Sequence, residues 1–140
     1  MSDVTIAATL PHPLPDCINA RIALVAIRRI GAHGLDDATA AQVMLTHFGT
    51  GFRRPLMLVR AMMADVAATA AGQIAIAPCC CRRMTPAEQA LIAILARVET
   101  RPDSARVLMA DLLGVRRVDG ALASAAAVSV AFADAGRPIG

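Results

Sequence analysis

Apolar residues recur three or four positions apart through most of this 140-residue chain, and this spacing constrains its fold more than any other feature. Alternation of the kind found in strands is confined to residues 73–78. A chain of this length can bury one sizeable hydrophobic core. We therefore predict a single all-α domain over residues 1–140, a compact orthogonal or bundle-like array of about six helices. One short extended segment is expected near 73–78, and residues 1–15 are expected to form an irregular N-terminal arm.

The second half of the chain carries the clearest helix boundaries. Thr85-Pro86-Ala87-Glu88 has the form of a capping box, with threonine as N-cap, proline at N1 and glutamate at N3. We expect that helix to continue to about Glu99. Pro102 then begins a further helix that ends at Gly114. Asp119 is expected to cap a last helix, whose small and apolar residues predict a central buried helix or an interface helix.

Aspartate, proline and glycine residues delimit three helices in the first half. The predicted bounds are Asp16 to Gly31–Gly34, Asp36 to Gly49, and Pro55 to Gly72. The residues expected to face the core are Ile18, Ile22, Val25 and Ile30 in the first helix, and Leu56, Val59, Met62, Met63 and Val66 in the third. Arg60 and Asp65 are expected on the solvent side of the third helix.

The chain is more apolar than an ordinary soluble domain. Hydrophobic residues make up 56% of it, whereas about 45 to 50% is usual even with glycine counted. Because large apolar patches are uncommon on monomers, we predict a self-association surface and a homodimer. Every stretch without a formal charge is shorter than the ~20 residues of a membrane-spanning helix, and Asp3 stands where a secretory signal has positive charge. We predict a cytoplasmic protein with no membrane partner.

A run of cysteine and arginine directly precedes the Thr85 helix start. It reads Cys79-Cys80-Cys81-Arg82-Arg83. Thiolates bind zinc and other thiophilic metals, and nearby guanidinium groups favour the thiolate form. Neighbouring residues of an extended segment point to opposite sides, so Cys79 and Cys81 are the local pair that could share an ion. Other ligands would have to come from Cys17, His12, His33 or His47. Buried structural cysteines, a redox-responsive thiol and a metal site all remain open.

The basic residues are all arginine, and four Arg-Arg pairs lie near predicted helix boundaries. Arg28 and Arg29 near a helix C-terminus are explained by the helix dipole. The pairs 53/54 and 82/83 precede helices, where the dipole disfavours cations, so we expect them to bind carboxylates, carbonyl groups or an anionic ligand. The candidate residues for ligand or partner binding are Arg53, Arg54, Cys79, Cys80, Cys81, Arg82 and Arg83.

Nucleic-acid binding has one weak indication. Residues 110–117 are similar to the middle of a helix-turn-helix motif, but the helix after them offers almost no polar side chains for base edges or phosphates. The net charge of +3 is modest, and three phenylalanines make no stacking platform for single strands. DNA binding is therefore disfavoured.

Four segments of the chain resemble an uncharacterised family of small alphaproteobacterial proteins, a domain of unknown function. These segments are His33-Gly34-Leu35-Asp36-Asp37-Ala38, Gly51-Phe52-Arg53-Arg54-Pro55-Leu56, Ala77-Pro78-Cys79-Cys80-Cys81-Arg82-Arg83-Met84-Thr85 and Asp111-Leu112-Leu113-Gly114-Val115-Arg116-Arg117. The resemblance implies a bacterial cytoplasmic protein and carries no activity, ligand or catalytic residue with it.

No phosphate loop, dinucleotide fingerprint, serine elbow or zinc-type histidine pair occurs in the sequence. We therefore expect a binding or interaction module rather than an enzyme, with the Cys79 to Thr85 segment lining its site. It would act on an anionic ligand or a protein partner without a resident cofactor. The alternative is a redox or soft-metal responder, in which Cys79 or Cys81 is the working thiolate and zinc or another thiophilic metal is the ion.

Overall fold

The structure is a computed structural model and describes residues 10–78 and 80–140. In these residues the chain forms six α-helices, and the predicted all-α class is confirmed. The helices are α1 (Ile18–His33), α2 (Ala38–Phe48), α3 (Arg53–Thr69), α4 (Pro86–Arg97), α5 (Pro102–Leu113) and α6 (Asp119–Asp134), with a 3₁₀ turn at Gly49–Gly51 between α2 and α3. None of these helices is long and apolar enough to cross a membrane.

Two very short strands fasten the arm before α1 to the segment before α4. They are β1 (His12–Pro13) and β2 (Arg83–Met84), and they pair antiparallel. The alternating residues 73–78 have no helix or strand assigned. Their alternation instead follows burial, because Ile74 and Ile76 pack against the core whereas Gln73 is exposed.

The helix boundaries are confirmed where two signals coincide. At Thr85, the hydroxyl accepts from the Glu88 N–H and the Glu88 carboxylate accepts from the Thr85 N–H, which completes the capping box. Gly114 has φ of 68° at the end of α5, a left-handed conformation that favours glycine.

An aspartate alone is a less reliable sign of a helix start than a full capping box. The cap of α2 is Asp37 rather than Asp36, and its carboxylate accepts from the Ala40 N–H. Cys17 rather than Asp16 precedes α1, and Asp119 is the first residue of α6 rather than its cap. Two neighbouring aspartates are available before α2, and Asp37, the one that caps the helix, also accepts from Arg29 of α1.

The predicted inward face of α3 is confirmed, whereas that of α1 is confirmed only in part. Ile30 is buried and Ile22 packs against the core, but Ile18 is 59% exposed and Val25 is only half-buried. The buried residues of α1 are Ala20, Ala23, Leu24, Ala26, Ile27, Arg28 and Ile30. Alanines bring α1 close to its neighbours and the paired Arg28 enters the core, so this face includes residue types that the sequence analysis had not assigned to it.

Two further expectations for α3, its end and its solvent side, are wrong. The helix ends at Thr69 rather than Gly72. Arg60 and Asp65 are half-buried rather than on a solvent face, and Asp65 accepts a hydrogen bond from the Ser124 hydroxyl of α6. This bond forms where α3 and α6 make the most extensive helix contact of the fold.

The last helix lies in the centre of the core, as one of the two readings of its small residues predicted. Seven of its residues are buried, and they include Phe132 with no exposed area. The Phe132 ring packs edge-on against Phe48, with 4.9 Å between the ring centroids. This contact joins α6 to the end of α2.

Candidate functional site

The predicted cysteine and arginine residues separate into exposed and buried groups. Cys79 lies outside the described residues. Cys80 and Arg82 are exposed, Cys81 is buried and Arg83 is half-buried. We call the four described residues, Cys80 to Arg83, the 80–83 segment.

A buried ion pair between α1 and α4 lies behind the 80–83 segment. Arg28 is 2% exposed and Glu88 is 0% exposed. The Arg28 Nε donates to Glu88 Oε2 at 2.7 Å, and Nη2 donates to Oε1 at 3.1 Å, a two-point contact between guanidinium and carboxylate.

Both partners of this ion pair also bind backbone groups around the segment. Arg28 Nη1 donates to the Cys81 carbonyl at 2.7 Å, and Nη2 donates to the Arg83 carbonyl at 2.8 Å. Glu88 accepts from the N–H groups of Ala77 at 3.2 Å and Thr85 at 2.9 Å. The backbone is therefore fixed before, within and after the 80–83 segment. We call the Arg28–Glu88 pair with these four backbone bonds the clamp.

The interpretation of Arg28 as a residue placed by the helix dipole is wrong. Arg28 lies inside α1 rather than in its last turn, and its charge is used by a carboxylate and two carbonyl groups. Arg29 does lie near the end of α1, where it donates to the cap residue Asp37. That hydrogen bond is the main reason why the pKa of the Asp37 carboxyl is lowered.

Arg83 anchors the arm that precedes α1. Its Nε donates to the Leu10 carbonyl at 2.6 Å, and its Nη2 donates to the Pro11 carbonyl at 2.9 Å. These bonds extend the β1–β2 pairing. Of the three partners that the sequence left open for Arg83, the structure shows backbone carbonyl groups.

Arg53 and Arg54 lie at the start of α3. Their contacts are with residues outside the 80–83 segment. Arg54 forms an ion pair with Asp134 at the end of α6, with 3.0 Å between Nη1 and Oδ2. Both side chains are more than half exposed, so the pair contributes little stability. The Arg53 guanidinium lies 5.9 Å from the centroid of the Phe52 ring.

Within residues 10–78 and 80–140, no three histidine, cysteine or acidic side chains are grouped closely enough to hold a metal ion. The Cys81 thiol donates to the Arg83 carbonyl, with 3.2 Å between Sγ and the oxygen. The predicted Cys79 and Cys81 metal pair includes a residue outside the described range, so it stays a prediction.

A second polar cluster joins the start of α1 to α2 and to the chain after α6. The Asn19 Nδ2 donates to the Pro138 carbonyl at 2.9 Å, which leaves Oδ1 facing His47 at 2.8 Å. An amide oxygen only accepts, so the His47 Nε2 carries the proton of this bond. Burial lowers the pKa of His47, and the positive charge of Arg137 lowers it further.

The lowered pKa of His47 predicts acid-sensitive stability. As pH falls, the unfolded chain protonates this histidine near its ordinary value of about 6.5, whereas the folded chain does so at lower pH. The unfolded state then binds more protons, so the free energy of unfolding should fall below about pH 6.5 and level off below the folded pKa. Urea unfolding between mildly alkaline and mildly acidic pH measures this slope. His47→Gln should reduce it, and an equal slope in that variant would contradict the assignment.

The sequence had suggested His47 as a further metal ligand and Glu88 as a member of a capping box. Neither Arg28 nor Asn19 was a candidate, because no local pattern indicates their distant partners.

A family model described as "Family of unknown function (DUF6628)" matches residues 1–135. No match to a curated protein or to a solved structure is significant. Because this family model covers nearly the whole chain, the protein belongs to that family of unknown function.

Proposed function

We propose that this protein is a cytoplasmic binding module, active as a homodimer, that presents the 80–83 segment to an anionic ligand or an acidic protein partner. The observation that carries the proposal is the clamp. It fixes the backbone on both sides of the segment, whereas the side chains of Cys80 and Arg82 remain exposed.

The energetics of buried charge support a role in conformation rather than in stability. Removing two charges from water often offsets most of their attraction, so a buried ion pair contributes less net stability than apolar residues of similar size. What the Arg28–Glu88 pair adds here is four defined backbone contacts. A segment held in one conformation loses less entropy when it binds a partner, which favours recognition.

Arg82 is the residue of this segment best suited to bind a negative charge. Its side chain is exposed and makes no hydrogen bond or ion pair with any residue that the structure describes. Arg83 and Arg54, in contrast, are already bonded to carbonyl groups and to Asp134. Arg53 is also exposed and adds a further candidate at a different place on the surface.

The proposal is tested by titrating the protein with a hexaglutamate peptide at low salt and following backbone amide signals by NMR. We expect the largest shifts in the 80–83 segment. Arg82→Ala should weaken binding by about fivefold, the equivalent of ~1 kcal/mol for one exposed charge pair. Arg116→Ala removes another exposed arginine and is the matched control. Equal affinities for both variants, or shifts confined to other surfaces, would overturn the assignment of the site.

A redox responder is the second candidate. The sequence analysis placed its working thiolate at Cys79 or Cys81, but Cys81 is buried, and the exposure of Cys80 is the observation that favours a responder. Such a responder needs a thiol that reacts in the folded protein. We expect Cys80 to be labelled quickly by a maleimide and Cys81, which is 7% exposed, to react only as fast as the protein opens. Variants that keep one cysteine each, with the others changed to serine, separate the two rates. Slow labelling of Cys80 would remove this candidate.

A further inference from the structure

The helix α2 carries no charge although most of it is in contact with water. Only Ala40 and Met44 of its 11 residues are buried. Its sequence, ATAAQVMLTHF, contains no aspartate, glutamate, lysine or arginine. The side of a surface helix that faces water ordinarily has charged and polar side chains. α2 therefore presents an uncharged surface that its own chain leaves largely uncovered.

Exposed apolar side chains are concentrated around this helix. In residues 10–78 and 80–140, five large hydrophobic side chains are exposed, and three of them lie in α1, in α2 or between these two helices. Ile18 in α1 is 59% exposed, Leu35 is 43% exposed and Leu45 in α2 is 41% exposed. Single scattered apolar side chains are ordinary on a protein surface, whereas a group of them on one side marks an interaction site.

A hollow of about 270 Å³ opens between α1 and α2, and it is lined by Ile22, Gln42, Val43, Thr46 and His47. An apolar cavity of about 150 Å³ already holds a benzene ring, so this hollow has room for one large aliphatic side chain. The Thr46 hydroxyl donates to the Gln42 carbonyl at 2.9 Å, and His47 is bonded to Asn19 at 2.8 Å. Because these bonds lie within one copy of the chain, covering the hollow does not break them.

We propose that this surface is the contact between two copies of the chain, with Leu45 of each copy seated in the hollow of the other. The α1–α2 patch, as we call it, consists of Ile18, Ile22, Gln42, Val43, Leu45 and Thr46. Leu45 lies on the helix that forms one wall of the hollow, and Ile18 lies one turn before Ile22 on the other wall. In a two-fold dimer the same patch lies on both subunits, so a projecting side chain and a hollow within one patch complement each other twice. The proposal rests on the homodimer of the proposed function and names its contact.

The absence of charge on α2 favours a second copy over a different protein as the partner. A two-fold contact brings a patch against itself, so a patch with charges of one sign would repel its counterpart. Different proteins are commonly matched by opposite charges across their interface. α2 offers no charge for such a match.

The first test compares Leu45→Glu with Val107→Glu. Val107 is 69% exposed on α5, outside the α1–α2 patch, and is the matched control. Native mass spectrometry from low to high micromolar concentration should show dimers of the natural chain and of the control. Leu45→Glu should raise the dissociation constant of the dimer by at least about 100-fold, because each dimer loses two apolar contacts and gains two like charges.

The other outcomes of this test separate the contact from the dimer itself. If the two variants dimerise equally well, or are weakened equally, the homodimer stands but the α1–α2 patch is not its contact. If the natural chain is a monomer at every concentration, both are wrong. Circular dichroism verifies that Leu45→Glu folds, and Ile18→Glu on the other side of the hollow gives the same comparison if it does not.

The second test asks whether the patch faces itself. Because the hollow lies within one turn of Leu45 on α2, the two copies of residue 45 come close together in the proposed dimer. Leu45→Glu and Leu45→Arg should each be monomeric alone through like-charge repulsion, whereas their mixture should form a one-to-one dimer. The mixture should lose this dimer at high salt, which screens the opposite charges. Absence of the mixed dimer at low salt would overturn the inference.

Discussion

Glu88→Gln is expected to lower the free energy of unfolding by about 3 to 5 kcal/mol, the usual effect of leaving one member of a buried ion pair without its partner. Glutamine keeps the size of the side chain, but its amide cannot neutralise Arg28 or accept at both oxygen positions. Urea or guanidinium unfolding followed by circular dichroism measures the change. The loss is large for a domain of this size, whose total stability is expected to be about 5 to 15 kcal/mol.

Glu99→Gln is the matched control for this prediction. Glu99 is exposed and accepts one hydrogen bond, from the Ser129 hydroxyl. The same chemical change there should alter the free energy of unfolding by at most about 1 kcal/mol. Similar losses at the two positions would contradict the role of the Arg28–Glu88 pair.

Phe132→Ala is expected to destabilise the protein by about 3 to 5 kcal/mol, because removal of the ring leaves a cavity in the core beside α6. Phe132 has no exposed area, and its edge-on contact with Phe48 is lost with the ring. Denaturant unfolding again gives the value.

Val107→Ala tests the same kind of truncation on the surface. Val107 is 69% exposed, so its loss should change stability by no more than about 0.5 kcal/mol. A loss below about 1 kcal/mol for Phe132→Ala would mean that α6 is not the packed centre of the core.

Helical periodicity and paired local signals predicted the fold well. The capping box at Thr85 and the glycine at 114 each combine residue type with spacing, and both boundaries are confirmed. The inward face of α3 was recognised because large aliphatic and methionine side chains carry it. The face of α1 was recognised only in part, since its buried side includes three alanines and Arg28 beside Leu24, Ile27 and Ile30.

The candidate site could be predicted only in part for a related reason. The cysteine and arginine run is visible in the sequence, but the residues that hold it lie far away along the chain. Arg28 and Glu88 are 60 positions apart, and local propensity explained each of them adequately as a dipole contact or a cap residue. Asn19 and Pro138 are 119 positions apart, and neither belongs to a motif. Contacts of this kind follow from the tertiary arrangement of helices that are individually predictable.

The most direct test of the clamp is amide hydrogen exchange at Ala77 and Thr85, whose N–H groups donate hydrogen bonds to the Glu88 carboxylate. It should be measured in the natural chain and in a variant that carries both Arg28→Met and Glu88→Leu. Apolar replacement of both partners should preserve or raise the free energy of unfolding. We predict that the two amides are protected in the natural chain and exchange rapidly in the variant although its core remains protected. Equal protection in both proteins would show that the 80–83 segment is ordered without the clamp, and would contradict our account.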